Sequence, residues 1–522
     1  NSSAALLSDG RILITGGDGA SGLLATAEFF NTDGSVSAAA PMNVARNKHI
    51  SIVLKDGRVL IAGGTVAGGG ATNAAEIYDP TASTWGSLAG GMMEARSGAT
   101  AGLLQDGRAV ITGGQNGSVV SSTIEIFDPV AGSFSFAGAL SSPRAQHATA
   151  LLADGRVLII GGSNGTAPVA STDIFDPVAG SVVPGPSLAT PRSRHSATTL
   201  LDGRVLVAGG GNIITNPDGS TTPTDLASAE IFDPATGVFS GVTSTLATAR
   251  QGHLAFLLAH NNNVLIVGGT SAGAPMASSE LFTPWQGTFS ATSSLTTARS
   301  NAAGSALQQD GLLLVAGGKD ANGAALPSTE VYGFATVKTD QADYAPGTTV
   351  TITGSGWQPG ETVTLTLVES PLIDTHGPFP VTADASGNIS NSSFVTDIHD
   401  LNVLFYLTAV GSVSGLQAQT SFTDAGTDTV TLDFSGSTSG TVTSSPAGVN
   451  CSWNGSTKSG TCSLGITNGQ SVTFTGSTNA NWSQSVSGWS AGNCSSTTTC
   501  TVTTGGNNSG TETVTFLAST ST

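Results

Sequence analysis

Short apolar runs alternate with polar turns along most of the chain, and long helical periodicity is absent, which predicts an all-β fold. The clearest unit is the stretch ATALLADGRVLIIGG, which runs from Ala148 to Gly162 and contains two apolar runs joined by Asp154-Gly155. Asp-Gly between apolar runs is a strong hairpin signal, because both central turn positions need a positive φ. The unit therefore predicts two antiparallel strands.

The sequence contains seven copies of this unit, and a glycine pair ends the second apolar run of each copy. The first glycines of the pairs are Gly16, Gly63, Gly113, Gly161, Gly209, Gly268 and Gly317. A third strand such as AEIYDP, from Ala75, and a fourth segment with an aromatic residue complete a repeat of 47 to 59 residues. Gly17, Gly19 and Gly22 match a dinucleotide-binding fingerprint, but the sibling loops lack it, so we interpret the match as accidental.

Six of the repeats close on an arginine that follows a leucine or methionine. These arginines are Arg46, Arg96, Arg144, Arg192, Arg250 and Arg299. An acidic residue precedes each arginine by 18 to 20 positions, namely Glu28, Glu76, Glu125, Asp173, Glu230 and Glu280. The constant offset predicts a repeated acid–arginine pair that braces the strands of one repeat. Arg194 is the one arginine of this region that neither the repeat nor the Asp-Gly-Arg turn explains.

A histidine stands three residues after four of these arginines, at His49, His147, His195 and His253. Equivalent histidines could form a ring that binds a metal ion. We favour a packing role at the junction between repeats, because Ala99 and Ala302 fill the same position in two other copies.

Four strands per repeat with a double glycine after the second strand resemble the kelch repeat. The resemblance implies a seven-bladed β-propeller over residues 1–334. The long step between Gly209 and Gly268 contains an insertion, Asn212 to Asp225, which we expect to project as a surface loop.

The ends of this region leave the propeller incomplete. The arginine-bearing segment expected before Asn1 is absent from the sequence, and no fourth strand follows the third strand TEVYGF of the last repeat. Either residues upstream of Asn1 complete the last blade, or a strand comes from elsewhere, near Val337 or from a neighbouring subunit. Strand donation between subunits would produce a homopolymer.

Two further β domains are expected after the propeller. The alternating pattern of residues 335–425 resembles bacterial immunoglobulin-like domains of surface proteins, which implies a β-sandwich. Residues 426–522 resemble a small β-repeat domain of secreted bacterial proteins and hold all four cysteines, Cys451, Cys462, Cys494 and Cys500. We expect two local disulfides, although four cysteines allow three connectivities. Their spacing does not suit a zinc ribbon.

Composition narrows the partners and the location. Acidic residues outnumber basic ones by 35 to 17, for a net charge of −18, which argues against a nucleic-acid partner. No apolar run is long enough to span a bilayer. Paired cysteines indicate an oxidising, extracellular or cell-surface location.

Some kelch-like propellers belong to the galactose oxidase group, whose copper site needs a Tyr–Cys cross-link. This propeller has no cysteine, and its tyrosines, Tyr78 and Tyr332, occupy the aromatic position of third strands. We therefore predict no catalytic residue, cofactor or metal, and a non-enzymatic structural or adhesive protein, with a filament or surface-layer subunit as one form. A carbohydrate-binding propeller is the alternative. The expected partners are a protein, including a second copy, or an extracellular glycan.

Overall fold

The structure is a computed structural model whose chain divides into two compact units, Asn1–Thr336 and Val337–Thr522. It describes residues 1–215, 220–345, 347–397, 403–424, 427–435, 440–445, 449–454, 456–467, 471–476, 481–487, 492–493, 499–503 and 511–519. Every regular element among these residues is a β-strand, so the predicted all-β class is confirmed. The predicted division of the second unit near residue 425 stays a prediction.

Among the described residues of the first unit, seven antiparallel sheets have three or four strands; each is built from one sequence repeat, and they are here called blades one to seven. The inner strands are Ser3–Leu6, Ile50–Val53, Thr100–Leu103, Ala148–Leu151, Ser196–Thr199, Leu254–Leu257 and Ala303–Ala306. The second strands are Ile12–Thr15, Val59–Ala62, Ala109–Thr112, Val157–Ile160, Val205–Ala208, Val264–Val267 and Leu312–Ala316. The third strands are Ala27–Phe30, Ala75–Asp79, Thr123–Asp128, Thr172–Asp176, Ala229–Asp233, Ser279–Thr283 and Thr329–Gly333. Blades one to six have outer strands, Val36–Ala39, Thr84–Ser87, Ser133–Ala139, Ser181–Pro184, Val238–Gly241 and Thr288–Thr292.

The blades pack face to face around a common axis, as the predicted propeller requires. Second strands such as Val59–Ala62 are buried along their whole length, which explains why they read as continuous apolar runs. Ile12 and Phe30 of blade one pack with Leu314 and Ala316 of blade seven, so the ring of blades is closed. The aromatic residue of the outer strand lies opposite that of the third strand, as in Trp85 with Tyr78, whose ring centroids are 5.0 Å apart.

A buried arginine joins each pair of successive blades from blade one to blade seven. Arg46 follows the outer strand of blade one and extends into blade two, where its Nη1 donates to the carbonyls of Gly63 and Ala74 at 2.8 and 2.9 Å. Its Nη2 donates to Glu76 at 2.7 Å, and both side chains are almost fully buried. The Arg46 backbone carbonyl accepts a bond from Gly17 of blade one, so one residue ties two blades together.

The other five arginines make the same contacts, but the predicted partners are wrong. Each arginine binds the acid of the following repeat and not the acid that precedes it. The observed pairs are Arg46–Glu76, Arg96–Glu125, Arg144–Asp173, Arg192–Glu230, Arg250–Glu280 and Arg299–Glu330. The constant offset within a repeat reflects only the repeat length, because the chain crosses to the next blade before the arginine side chain turns inward.

Blade seven has three strands, and its third strand, Thr329–Gly333, has no outer neighbour among the described residues. Val331 on this strand is 47% exposed. The expected gap in the last blade is therefore present, and the addition of a strand by a second copy stays a prediction.

Four short two-stranded ribbons follow the glycine pairs of their blades. They are Asp18–Gly19 with Gly22–Leu23, Gln115–Asn116 with Val119–Val120, Gly211–Thr215 with Thr221–Asp225, and Thr270–Ser271 with Ala274–Pro275. The first ribbon contains Gly19 and Gly22 of the dinucleotide fingerprint, and no helix follows it among the described residues. The third is the insertion after Gly209, so the expected surface loop is a hairpin whose tip, residues 216–219, lies outside the described residues.

The described residues of the second unit form four sheets. The first consists of Lys338–Thr339, Thr349–Gly354 and Ile389–Val395. The second consists of Thr375–Thr382, Thr362–Ser370, Val403–Gly411 and Gln417–Asp424. The third consists of Ser463–Thr467, Thr427–Ser435, Thr511–Ser519 and Asn481–Ser487. The fourth consists of Lys458–Thr461, Asn450–Trp453, Gly440–Ser445, Ser471–Gly476, Thr499–Thr503 and Gly492–Asn493. The assignment to immunoglobulin-like and small β-repeat domains stays a prediction.

Cys451 and Cys462 form a disulfide, as expected for a local pair. The second expected pair, Cys494 with Cys500, includes Cys494, which lies outside the described residues. Over the part of the chain that the structure describes, no helix is long and apolar enough to cross a membrane.

We predict that Arg192→Met strongly destabilises the propeller, by about 3 to 5 kcal/mol, because Glu230 would remain buried without a counter-charge. The matched control is Arg204→Met, which breaks the solvent-exposed pair with Asp202 and should cost less than about 1 kcal/mol. Chemical unfolding monitored by tryptophan fluorescence measures both. Equal losses for the two variants would contradict a structural role for the buried arginines.

Candidate binding site at the axial opening

Seven residues encircle one end of the central channel, each placed just before an inner strand. They are Asn1, Lys48, Gly98, Gln146, Arg194, Gly252 and Asn301, here called the axial ring. Lys48, Gly98, Gln146, Arg194, Gly252 and Asn301 each stand two positions after a junction arginine. The buried arginines therefore fix where the ring residues lie.

Backbone hydrogen bonds run around the ring from blade to blade. The N–H of Lys48 donates to the carbonyl of Asn1 at 3.1 Å, and the N–H of Gly98 donates to Lys48 at 3.3 Å. The series continues through Gln146, Arg194 and Gly252 at 3.1, 2.9 and 2.8 Å, and the Asn1 nitrogen donates to the carbonyl of Asn301. Because these bonds occupy most of the ring's backbone N–H and carbonyl groups, the side chains are the main groups that the opening offers to a ligand.

Six ring residues adopt the left-handed backbone conformation. Their φ angles are 50° at Lys48, 61° at Gly98, 55° at Gln146, 54° at Arg194, 59° at Gly252 and 52° at Asn301. Glycine adopts this conformation without cost, whereas lysine, glutamine and arginine each pay roughly 1 kcal/mol. Glycine occupies two of the six positions, Gly98 and Gly252, so the backbone does not require a side chain there. Residues with side chains at the other positions adopt a strained backbone conformation, which points to a role beyond folding.

Arg194 is the arginine that the sequence repeat did not explain, and it lies partly buried at this opening. Its Nη1 is 3.3 Å from Oε1 of Gln251, and its Nη2 is 3.3 Å from Oδ1 of Asn301. A side chain at Gly252 would collide with the guanidinium, because an added Cβ would lie 2.7 Å from Nη2. Glycine at that position therefore makes room for Arg194.

No carboxylate contacts the Arg194 guanidinium within 4 Å among the described residues. Burial lowers the pKa of Arg194, and the nearest acid, Asp225, partly offsets this. Asp225 instead accepts hydrogen bonds from Gln251 and the backbone of Ala272, at 2.7 and 2.6 Å. Asp225 belongs to the inserted hairpin, so the insertion orients the Gln251 side chain that supports the guanidinium.

The opening forms a cavity of about 400 Å³ lined by Asn1, Lys48, Gly98, Gln146, Arg194 and Asn301. Its two cations, Lys48 and Arg194, stand in a chain whose net charge is −18. The amide side chains of Asn1, Gln146 and Asn301 add donors and acceptors. This combination suits an anion that also carries hydroxyl groups.

The four predicted histidines lie at blade junctions one position beyond the ring. Nε2 of His147 lies 2.7 Å from the hydroxyls of both Thr100 and Thr112 in the preceding blade. His49 contacts Ser3 and Thr15 in the same way, at 2.8 and 3.0 Å.

His253 reaches Ser196 at 2.9 Å. His195 makes no hydrogen bond to a hydroxyl group of the described residues. The positions that Thr100 and Thr112 occupy in blade three are filled by Ala148 and Ile160 in blade four, which have no hydroxyl.

The histidine rings also explain the first glycine of the repeated pair. A Cβ added to Gly113 would lie 2.7 Å from Cε1 of His147 and 2.2 Å from the carbonyl of Arg144. Gly16, Gly161 and Gly209 meet His49, His195 and His253 in the same way. This geometry supports the packing interpretation over the metal ring. Among the described residues, no three histidine, cysteine, aspartate or glutamate side chains are grouped to hold a metal ion.

Comparison with known proteins places the fold. No family model and no curated protein matches the chain. One solved structure is a fungal alcohol oxidase of the AA5 family in complex with copper, to which this chain is 15% identical. The alignment covers 81% of this chain and 96% of the oxidase chain, with a TM-score of 0.52. A second solved structure is that of YjhT, to which this chain is 16% identical. The alignment covers 56% of this chain and 97% of the YjhT chain, with a TM-score of 0.46. The match to the oxidase confirms a β-propeller-type fold.

The prediction that the chain is not an enzyme is wrong. The oxidase shares the fold and is catalytic, so a propeller of this type gives no ground for excluding catalysis.

The described side chains do not fit the copper site that the galactose oxidase resemblance implies. The propeller sequence has no cysteine for a cross-link. Tyr78 is fully buried between Phe29 and Trp85, and Tyr332 is bonded to Thr292 at 2.7 Å. Neither tyrosine lies in the axial ring.

Sequence reasoning missed most of the axial ring. It singled out Arg194 only as unexplained, and it did not consider Lys48, Gln146 or Asn301. The available signal was positional, because all four stand two residues after a junction arginine, at equivalent positions of their repeats.

We predict an acid-labile propeller, because burial and nearby arginines lower the pKa of His49, His147 and His253 to about 3. In the unfolded chain these histidines bind a proton below about pH 6.5, whereas in the folded protein they bind it only below about pH 3. Stability should therefore fall as the pH drops through this window, by up to about 1.4 kcal/mol per pH unit for each histidine.

His147→Ala tests this directly, because alanine fills the equivalent position at Ala99 and Ala302. The variant should lose less stability than the parent chain between pH 7.5 and pH 5, as measured by thermal unfolding at each pH. Thr199→Ala, which removes a partly exposed side chain that does not titrate, is the control and should keep the parent profile. A parent-like profile for His147→Ala would contradict the assignment.

Proposed function

We propose that this chain is an extracellular or cell-surface binding protein whose propeller holds an acidic carbohydrate at the axial ring. The observation that carries the proposal is the pair of cations, Lys48 and Arg194, which line one opening and which no carboxylate of the described residues contacts. Such a pair attracts a carboxylate group, and a guanidinium can bind it through two parallel hydrogen bonds.

The surrounding side chains support a sugar and not a bare ion. Gln146 and Asn301 can bond hydroxyl groups on either side of a carboxylate held by Arg194. The cavity of about 400 Å³ is of the size that holds a mono- or disaccharide. The acidic surface elsewhere would repel anions, so binding is expected to concentrate at the ring.

The extracellular location rests on the Cys451–Cys462 disulfide, which persists in an oxidising compartment. In this setting the propeller is a binding platform, and the second unit is a spacer or docking element of β structure. A structural or adhesive role would follow if the acidic sugar belongs to a surface polymer.

The test is calorimetric titration of the full chain with digalacturonic acid and with its neutral counterpart, digalactose. We expect binding of the acidic sugar only, weakened about tenfold or more by Arg194→Met or Lys48→Met through loss of a charge-assisted contact. Higher salt should weaken it as well, because the opening is exposed.

Arg156→Met is the control, since it removes an arginine of the same charge from an exposed turn. It should leave the affinity unchanged. Equal binding of the two sugars, or binding that survives the loss of both ring cations, would contradict the proposal.

A further inference from the structure

Three features of the propeller depart from its own repeat, and the structure brings them together at the axial ring. The first is the insertion Asn212 to Asp225, which only the fifth repeat contains. The second is Arg194, which the repeat does not explain. The third is Gln251, the longest side chain that directly follows a junction arginine, since the equivalent residues are Asn47, Ser97, Ala145, Ser193 and Ser300. Departures from a repeat that meet at one place indicate a function of that place and not a need of the fold.

Asp225 connects the insertion to the sixth blade and orients the amide of Gln251. Its Oδ1 accepts from Nε2 of Gln251 at 2.7 Å, and its Oδ2 accepts from the backbone N–H of Ala272 at 2.6 Å. A carboxylate only accepts hydrogen bonds, so the amide must turn its NH2 group toward Asp225. Oε1 of Gln251 is thereby left for a donor, and it lies 3.3 Å from Nη1 of Arg194.

The guanidinium of Arg194 is held at both of its terminal nitrogens. Nη1 donates to Gln251, and Nη2 donates to Oδ1 of Asn301 at 3.3 Å. Two glycines leave space for this arrangement, because a Cβ at Gly211 would lie 3.0 Å from Oε1 of Gln251 and a Cβ at Gly252 would lie 2.7 Å from Nη2. The surroundings therefore favour one orientation of the guanidinium, and its other N–H groups remain for a ligand.

Asp225 and Gln251 can act on a ligand in the cavity only through Arg194. The cavity of about 400 Å³ is lined by Arg194 and Asn301 but by neither Asp225 nor Gln251. A long arginine side chain loses rotamer freedom when it binds, which weakens binding unless the side chain is already fixed. A guanidinium that is fixed before the ligand arrives therefore binds a carboxylate more tightly.

We propose that Asp225 and Gln251 are positioning residues of the axial ring, which fix the guanidinium of Arg194 in the orientation that binds a carboxylate. The inference rests on the proposed function, because it concerns the affinity of the same site. It also gives the insertion a role, since the longer fifth repeat is what carries Asp225 to this opening.

Asp225→Ala tests the proposal through the sign of its effect. The charge of Asp225 acts on Arg194, so its removal would by charge alone strengthen the binding of an anion. If Asp225 positions Arg194, the variant will instead bind digalacturonic acid about fivefold more weakly in calorimetric titration. The control is Asp320→Ala, which removes a carboxylate that accepts from the backbone of its own turn, and it should not weaken binding.

Gln251→Ser is the second variant, and we expect it to fold because serine stands at the equivalent position of three other repeats. The affinity should fall about fivefold, while the melting temperature stays within about 2 °C of the parent. In an Arg194→Met background the same change should cause no further loss, because Gln251 acts through Arg194. Gln105→Ser, in an exposed turn, is the matched control and should leave the affinity unchanged.

Nitrogen-15 relaxation of arginine-labelled free chain measures the guanidinium without any sugar. The Nε–H signal of Arg194 is assigned by its loss in Arg194→Met. Its order parameter should be above about 0.8 in the parent and below about 0.6 in Gln251→Ser. If the parent binds neither digalacturonic acid nor digalactose, the proposed function fails, and this measurement alone decides whether Arg194 is positioned.

Three results would overturn the proposal. One is tighter or unchanged binding of digalacturonic acid by Asp225→Ala. Another is a loss on Gln251→Ser that persists in full in the Arg194→Met background, which would show that Gln251 does not act through the arginine. The third is an Arg194 guanidinium that is mobile in the parent or equally ordered in Gln251→Ser.

Discussion

A buried arginine at each of six blade junctions is the interaction on which the rest of this structure depends. Its guanidinium binds a carboxylate and two carbonyls of the following blade, while its backbone carbonyl binds the preceding blade. A buried charge pair contributes little net stability compared with apolar packing, but either partner alone is strongly unfavourable. The pair therefore specifies the relative position of two blades more than it strengthens them. In a chain with only 10% charged residues, this use of charge stands out.

The same junction sets the geometry of the candidate binding site. The residue two positions after the arginine is held in the left-handed conformation and bonded to its neighbour around the axis. Because the backbone is fixed, the side chain there can vary without disturbing the blades, as Gly98 and Gly252 illustrate beside Lys48 and Arg194. A repeated scaffold with one variable position per repeat is a simple way to build a ligand site. Catalysis remains compatible with a fold of this type, because a solved structure that shares it is an alcohol oxidase.

Much of the fold could be predicted from the sequence, because hairpin turns, glycine pairs and apolar runs are local signals. Asp154-Gly155 predicts the turn of a hairpin and Gly161 marks the end of its second strand, so each signal concerns the backbone within a few residues. The pairing of the arginines could not be deduced in the same way, since the offset from an acid to the next arginine, 18 to 20 positions, is more regular than the offset from an arginine to its observed partner, which ranges from 29 to 38 positions. Only the crossing of the chain between blades decides between them. The axial ring was missed for a similar reason, because its members come from seven repeats and meet only when the propeller closes.

A double-mutant cycle on Arg250 and Glu280 tests the central claim most directly. These residues belong to different repeats and lie 2.7 Å apart across a blade junction. If the cross-blade pair organises the propeller, Arg250→Met and Glu280→Gln will each destabilise the chain strongly. The double variant will then lose clearly less than the sum, with a coupling of about 2 kcal/mol or more. Additive losses, with a coupling under about 0.5 kcal/mol, would contradict the account.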